Sequence, residues 1–464
     1  MIAATLALLA WMLVRTPMAV GDSGDYLLTL EALANHGTPD VRAQDAASLG
    51  AAATRAPIRG AFGDVWQQTR SSPGGRAYTW HFWAYPLAVL PVKAVLRLLG
   101  GNELSAPQVA NALFLAAAAW LVWLAPWLDG RVAAWWAILG VVGPPAWFCA
   151  WPHPEVFTFA LVTVAVACAM GSRFVPATAA LAVASTQNPP LAPLAVALAL
   201  VAATRPPRTA RRLVLAFAAL CPAFVPTLFY LASFGRPTLM LGESAAFESM
   251  SLSKAADLLL DLNIGLLPYV PGVVVLALVA LAVTRGRERL VGALCWAAFF
   301  TGALGASAGI VWNFGTSGPS RYAVWLSPFL IASAALLARK RWGAVALGAA
   351  LAAQAAVVAT RLPAWGEDDH ERHSYAATLV LRRWPALYNP REQIFLDRTP
   401  SLFQDGPHVF RNGADCRKAL AQKRHAEALT VACGPLPEQF VAWSREVARA
   451  GVGRDAWRYV DYKP

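Results

Sequence analysis

Apolar residues run along this chain in long blocks rather than in alternation. Most blocks approach the roughly 20 residues that carry a helix across a bilayer. Candidate spans fall at 2–20, 106–127, 131–150, 155–171, 174–187, 189–204, 211–232, 264–284, 290–311, 322–338 and 342–360. The segments at 174–187 and 189–204 are short and read as a helix pair broken at Gln187-Asn188-Pro189-Pro190. Backbone in lipid must satisfy its own polar groups, which a helix does. The pattern predicts an all-α multi-pass membrane region over 1–360, with about eleven transmembrane helices.

The block at 81–99 reads differently. Its length permits a span, but His81, Tyr85, Lys93 and Arg97 share one i, i+4 stripe, and Trp and Tyr crowd its start. An amphipathic helix lying in the interface accounts for that pattern. Loop charge decides between the two. If 81–99 stays on the surface and the N-terminus is inside, the inner connections are those at Arg131, Arg173, Arg205 to Arg212, Arg285 to Arg289 and Arg339-Lys340-Arg341. If 81–99 crosses, all of them move outside. The positive-inside rule selects the interfacial helix, with Arg15 a minor exception. The first block is expected to be retained, since no basic stretch precedes it and Met18-Ala19-Val20 is a poor cleavage site.

This topology places a loop at 21–105 and the whole of 361–464 on the outer side. From about Leu362 the transmembrane character ends. Gly366 to His373 is strongly charged. Gln393-Ile394-Phe395-Leu396 and Leu429 to Cys433 read as short strands, and Ala419 to Leu429 and Gln439 to Ala448 as helices. A small α/β domain is expected over 361–464.

Composition agrees with the membrane reading. The 464 residues are 57% hydrophobic and 14% charged, against about 25% charge in soluble domains, and mean hydropathy is +0.46. A net charge of +12 invites a nucleic-acid partner. The basic residues lie mostly in short loops between spans, so no nucleic acid is expected. Cys149, Cys168, Cys221 and Cys295 sit in apolar spans as small hydrophobes. Cys416 and Cys433 fall in the outer region, where an oxidising compartment permits a disulfide. No Cys/His metal spacing occurs.

Four places can carry chemistry. Gly21-Asp22-Ser23-Gly24-Asp25-Tyr26 follows the first apolar block. Asp22 or Ser23 suits a helix N-cap, while a carboxylate at the edge of the apolar layer is partly desolvated, which raises its pKa toward that of a general base. Trp151-Pro152-His153-Pro154-Glu155 opens a span. The helix dipole accounts for Glu155, whereas His153 can ligate a metal, bind phosphate or cap. Asn313 to Ser320, ending in Arg321-Tyr322, is either a phosphate cradle of N–H groups and guanidinium or an interfacial turn; it is not a P-loop. Gln187-Asn188 lines a cavity or forms an outer turn.

Gly21-Asp22-x-x-x-Tyr26, followed by a Leu/Ala-rich helix and His36-Gly37, resembles the first outer loop of GT-C membrane glycosyltransferases. That superfamily includes protein O-mannosyltransferases and the lipid A aminoarabinose transferase. Asp22 and Tyr26 match the family's Asp and Tyr, and Ser23 stands where Glu is frequent. Tyr85-Pro86-Leu87 with Pro91 is similar to its juxtamembrane helices. His153-Pro154-Glu155 falls where a second acidic residue is common, and Gly318-Pro319-Ser320-Arg321-Tyr322 resembles the segment before a late span. The resemblance covers the membrane region by order and topology, and not 361–464.

It implies a GT-C-like fold and an inverting transfer from a polyprenyl-phosphate-sugar donor to a lipid, glycan or protein acceptor. The place implied is the outer face of a bacterial cytoplasmic (inner) membrane, with the N-terminus cytoplasmic. Asp22 would take the acceptor's proton. Arg321, with Tyr322, would face the donor phosphate, and His153 and Glu155 would form a second acidic or phosphate site. Asp25, Tyr26 and Asn188 would support them. No cofactor is expected, although His153 and Glu155 leave a divalent metal open. The competing reading is a transporter or flippase of lipid-linked saccharide. Such proteins bind at mid-membrane and commonly carry inverted repeats; here the polar residues collect at one surface and no repeat is visible.

Overall fold

The first apolar block forms a shorter helix than its composition allows. In the computed structural model, which describes residues 2–19, 21–56, 58–59, 69–206, 209–313, 318–362, 371–402, 405–450 and 456–462, α1 spans Ile2–Val14. Its last carbonyls are taken by Gln108, whose Nε2 donates to Met12 O and, at 2.7 Å, to Arg15 O. Beyond it Ala19 N donates to Arg59 O and Arg59 N to Pro17 O, at 2.7 and 2.8 Å. These bonds fix the chain that leads into α2 (Ser23–His36). Then follow α3 (Ala43–Arg55), the hairpin β1 (Thr69–Ser71) and β2 (Ala77–Thr79), and α4 (Ala84–Leu98).

The helical body continues with α5 (Ala106–Leu124), α6 (Gly130–Val141), α7 (Glu155–Met170), α8 (Phe174–Ser185), α9 (Ala192–Thr204), α10 (Ala210–Leu220), α11 (Val225–Phe234), α12 (Leu252–Leu260), α13 (Pro271–Val283), α14 (Gly286–Ala306), α15 (Arg321–Ala335) and α16 (Gly343–Arg361). Five stretches among the described residues are long and apolar enough to cross a membrane: Glu103–Leu124, Ala210–Phe234, Gly286–Ala306, Arg321–Arg339 and Gly343–Arg361. Five shorter apolar helices accompany them. Glycine and proline shorten the predicted blocks. Gly143-Pro144-Pro145 ends the 131–150 block at Val141, and the 264–284 block becomes helical only at Pro271. The 174–204 block breaks at Gln187 to Pro190, between α8 and α9.

Helix α15 is the centre of the body. Every residue from Ala323 to Ala335 is buried, against α6, α7, α13 and α14. Helix α7 joins it to α5 and α8. A helix buried all round must be largely apolar all round, and the charged residues of α15 and α7, Arg321 and Glu155, accordingly stand at their first positions, while Ser327 bonds back to Val324 O within its own helix.

Helix α4 turns part of its predicted polar stripe inward. Tyr85 and Lys93, on the predicted polar stripe, are buried against α2 and α5, while Leu87, Val95 and Leu98 are exposed. Lys93 can turn inward because Glu31 lies 2.5 Å and Glu103 3.0 Å from its Nζ.

The C-terminal region forms an antiparallel sheet in the order β3-β4-β5 (His408–Asn412, Asp415–Ala421, Arg458–Asp461). Around it lie α17 (Tyr375–Arg383), α18 (Glu392–Arg398), α19 (Ala426–Cys433) and α20 (Glu438–Ala450). Both expected strands are helices here. Gln393 to Leu396 belongs to α18, which buries Ile394, Phe395 and Arg398 at helical spacing, and Leu429 to Cys433 ends α19. The helix expected at 419–429 starts only at Ala426, since Ala419 to Ala421 complete β4. Short apolar runs fit either element, and tertiary contacts choose. A disulfide joins Cys416 and Cys433, tying β4 to α19 over a core of Val409, Leu429 and Phe440. Most of the charged run at 366–373 lies outside the described residues.

Candidate functional site

Asp22 occupies the N-cap position of α2, but its side chain makes no cap hydrogen bond. It turns instead toward residues far along the chain. Arg321 Nη1 donates to Asp22 Oδ2 at 2.7 Å. His153 Nε2 lies 3.4 Å and His81 Nε2 3.6 Å from the same oxygen. The capping explanation therefore fails for this side chain, and the carboxylate is the meeting point of three cationic or cation-forming groups.

Each partner is held from behind. Arg321 begins α15, with Ser320 as N-cap through its hydroxyl and Tyr322 N–H. A guanidinium at a helix N-terminus opposes the dipole, and Asp22 offsets that cost. His153 stacks on Trp151, with ring centroids 4.2 Å apart. Trp151 O accepts from Asn111 Nδ2 at 2.9 Å, and Tyr85 Oη donates to Asn111 Oδ1 at 3.1 Å. His153 Nδ1 lies 2.9 Å from Glu155 Oε1, and Glu155 sits in the first turn of α7, where the dipole favours its charge. His81 Nδ1 is 2.7 Å from Asp25 Oδ2. The Tyr26 ring packs against both imidazoles, 4.9 Å from His81 and 5.0 Å from His153, whose own centroids are 6.5 Å apart.

The site is thus two parallel carboxylate–imidazole arms, Glu155–His153 and Asp25–His81, that meet at Asp22 beside Arg321. Asp22 is the open end: its side chain is 37% exposed, against 2% for His153 and Glu155. Gly21 has φ +55°, a left-handed turn that favours glycine and brings the chain round under Trp151.

Electrostatics correct the expected ionisation of Asp22. Burial alone raises its pKa, as foreseen, but His81, Arg321 and His153 outweigh it and hold the carboxyl well below the usual carboxylate range. For His81 burial acts to lower the pKa, and Asp22 and Asp25 together raise it above the ordinary histidine value. Asp22 is ionised throughout the physiological range.

The structure brings Asp22, His153, Glu155 and Arg321 together, with Asp25 and Tyr26 directly behind. Tyr322 packs beside Arg321, its ring 5.4 Å from the guanidinium carbon. Asn188 lies apart: its Nδ2 donates to Thr158 Oγ1 at 2.8 Å, pinning the α8–α9 turn to α7. Its neighbour Gln187 is nearer, donating to Phe82 O at 2.8 Å. Residues 314–317 of the proposed phosphate cradle lie outside the described residues. His81 was read only as part of a helical stripe. Helix α4 starts at Ala84, so His81 precedes it; a histidine in the same loop as Asp22, between Trp80 and Phe82, was the available signal.

Among the described residues no group of three or more His, Cys, Asp or Glu side chains is arranged to hold a metal. The positive charge against Asp22 is the Arg321 guanidinium, and the residues present do not fit a resident ion between Asp22 and His153.

The opposite end of the body is basic. Arg339 lies 2.9 Å from Glu288 and 3.6 Å from Asp129. Arg287 donates to Met170 O at 3.0 Å and Arg205 to Ser172 O at 3.3 Å. Met170 ends the helix that Glu155 begins, so the two ends are about 24 Å apart at 1.5 Å per residue. No family model, curated protein or solved structure matches the chain.

Proposed function

We propose that this protein is an inverting glycosyltransferase that takes a sugar from a polyprenyl-phosphate donor and passes it to an acceptor at the outer face of the membrane. The carrying observation is the convergence of Asp22, His153 and Arg321 at the heads of α2, α7 and α15. A half-exposed carboxylate touches a guanidinium able to receive a phosphate. Both lie at the end of the body away from the arginine-rich connections, which the positive-inside rule assigns to the cytoplasm. The disulfide in the C-terminal region agrees with an oxidising compartment for that region.

In this reading the donor phosphate takes hydrogen bonds from Arg321. The acceptor hydroxyl donates to Asp22, and its oxygen attacks the anomeric carbon. The bond from that carbon to the phosphate oxygen breaks, the proton passes to Asp22, and the electron pair leaves on the polyprenyl phosphate. Competition by the phosphate for Arg321 removes one of the charges that depress Asp22, so donor binding makes Asp22 a better base. His153, backed by Glu155, keeps Asp22 pointed at the acceptor.

The test is transfer from a panel of polyprenyl-phosphate hexoses and pentoses in proteoliposomes, followed by mass spectrometry of the acceptor fraction. Asp22→Asn is expected to lower turnover by about 10²–10⁴, the usual range for loss of a general base. Unchanged turnover in that variant would overturn the assignment.

A further inference from the structure

Arg321 is held at a distance by the C-terminal region. Ser320 N donates to Ile264 O at 2.7 Å. Ile264 closes a turn whose polar groups are occupied from two sides. Asp261 Oδ1 accepts from Asn263 N and Ile264 N at 2.8 and 3.0 Å. Tyr388 Oη donates to Asp261 Oδ2 at 2.8 Å and accepts from Asn263 Nδ2 at 2.9 Å. Ser374 N donates to Asn263 Oδ1 at 2.9 Å, and Ser374 Oγ to Leu262 O at 2.5 Å. The second hold is on Asn313, which accepts at 2.7 Å from Nε of Arg398. That guanidinium also donates to Arg372 O at 2.8 Å. Asn263, Asn313, Ser320 and Arg398 are all buried.

We infer that the C-terminal region is a positioning clamp for Arg321, in which Tyr388 and Arg398 act as positioning residues through Asn263 and Asn313. Ser374, Tyr388 and Arg398 all belong to that region, and their bonds described above run to Asn263, Leu262, Asp261, Asn313 and Arg372. They hold the chain on both sides of 314–317, at Asn313 and at Ser320, and Ser320 caps the helix that carries Arg321. Buried hydrogen-bond networks of this kind fix one geometry, because any half-made alternative leaves polar groups unsatisfied. Asp22 holds the guanidinium from one side, but a cation set against a helix dipole gains nothing from its own helix, so the backbone that presents it must be held by the surrounding fold. The clamp's catalytic meaning rests on the transferase reading; its geometry does not.

The experiment has two arms. In a Cys221→Ser background, Arg321→Cys is labelled with a cationic methanethiosulfonate in the full-length detergent-solubilised protein, with Arg287→Cys as the control at the other end. Adding Tyr388→Phe or Arg398→Gln is expected to speed labelling at 321 about tenfold, the effect of losing one or two hydrogen bonds on a local opening equilibrium, and to leave 287 unchanged. Unchanged rates at 321, or equal increases at both positions, would overturn the clamp. Tyr388→Phe is the conservative variant should Arg398→Gln fail to fold. In the second arm, Tyr388→Phe raises KM for the donor more than it lowers kcat, and has no further effect in an Arg321→Ala background. Additive losses would count against positioning. If the wild-type protein transfers no sugar, the transferase reading fails while the labelling arm still decides the clamp.

Discussion

Arg321 Nη1 lies 2.7 Å from Asp22 Oδ2, across 299 residues of sequence. The pair joins the loop after the first helix to the head of the most deeply buried one. It explains why an arginine tolerates the N-terminus of α15 and why Asp22 ignores the cap position it occupies. Charge-assisted bonds of this kind are stronger than neutral ones, so the contact fixes the resting state. In that state the proposed base and the proposed phosphate anchor satisfy one another.

The pH dependence follows from Asp22 and His81, whose shifts are opposite. Its folded pKa is depressed, so its contribution is present above the unfolded carboxylate value and lost as pH falls through the lower folded value. His81 is raised; its contribution is complete below about 6.5, the ordinary histidine value, and is lost as pH rises through the higher folded one. The profile of kcat/KM should therefore extend into acid below the usual carboxylate limb. His81→Asn should move that acid limb upward, since Asp22 loses a positive neighbour. A limb that stays in place would show that His81 does not tune Asp22.

Sidedness is a second expectation. Leu387 is 77% exposed, in the C-terminal region, and Lys340 is in the arginine-rich end. In intact cells Leu387→Cys should react with a membrane-impermeant maleimide and Lys340→Cys only after permeabilisation. The reverse pattern would place the Asp22 site in the cytoplasm and remove the lipid-linked donor from its face.

Polar residues at the ends of apolar blocks were the readable part of this site. Asp22, His153, Glu155 and Arg321 each stand at the edge of a block, and for all but Glu155, which the helix dipole favours, packing alone has little need of a charge there. The ionisation of Asp22 was not readable, because its sign depends on which cations arrive from 59, 131 and 299 residues away. Lys93 misled for a related reason: one residue on a stripe looks solvated unless its carboxylate partner, here Glu31 on another helix, is known. Gln439 to Ala448 was legible as a helix and forms most of α20, whereas Gln393 to Leu396 and Leu429 to Cys433 were read as strands because runs of four or five residues are too short to show a period.

The disulfide offers a third test. Cys416 and Cys433 enclose 17 residues of separation, and closing such a loop contributes about 3 kcal/mol in the chain-entropy model. Replacing both by Ala should make the 405–450 segment cleave faster under limited proteolysis, with little change in the helical body. Equal protection with and without the bond would mean that the sheet and its core of Val409, Leu429 and Phe440 hold the segment unaided.

The last expectation concerns Glu31 and Lys93, each 2% exposed, with Nζ 2.5 Å from Oε1. Removing one charge of a buried pair leaves the other without compensation, at a cost of about 3–5 kcal/mol. Lys93→Met and Glu31→Leu should each lower the thermal midpoint in detergent sharply. The double variant should recover most of the loss, because the desolvation of both charges disappears with them. Glu103, 3.0 Å from Lys93 Nζ, makes the two single variants unequal: without Glu31, Lys93 retains a carboxylate, whereas without Lys93, Glu31 keeps, among the described residues, the Ser48 hydroxyl at 3.2 Å. Lys93→Met is therefore expected to be the more damaging. Since this pair joins α2 to α4 and His81 immediately precedes α4, the same variant should also weaken the His81–Asp25 arm, seen as an upward shift of the acid limb. A large stability loss with an unmoved limb would separate the pair's structural role from the site.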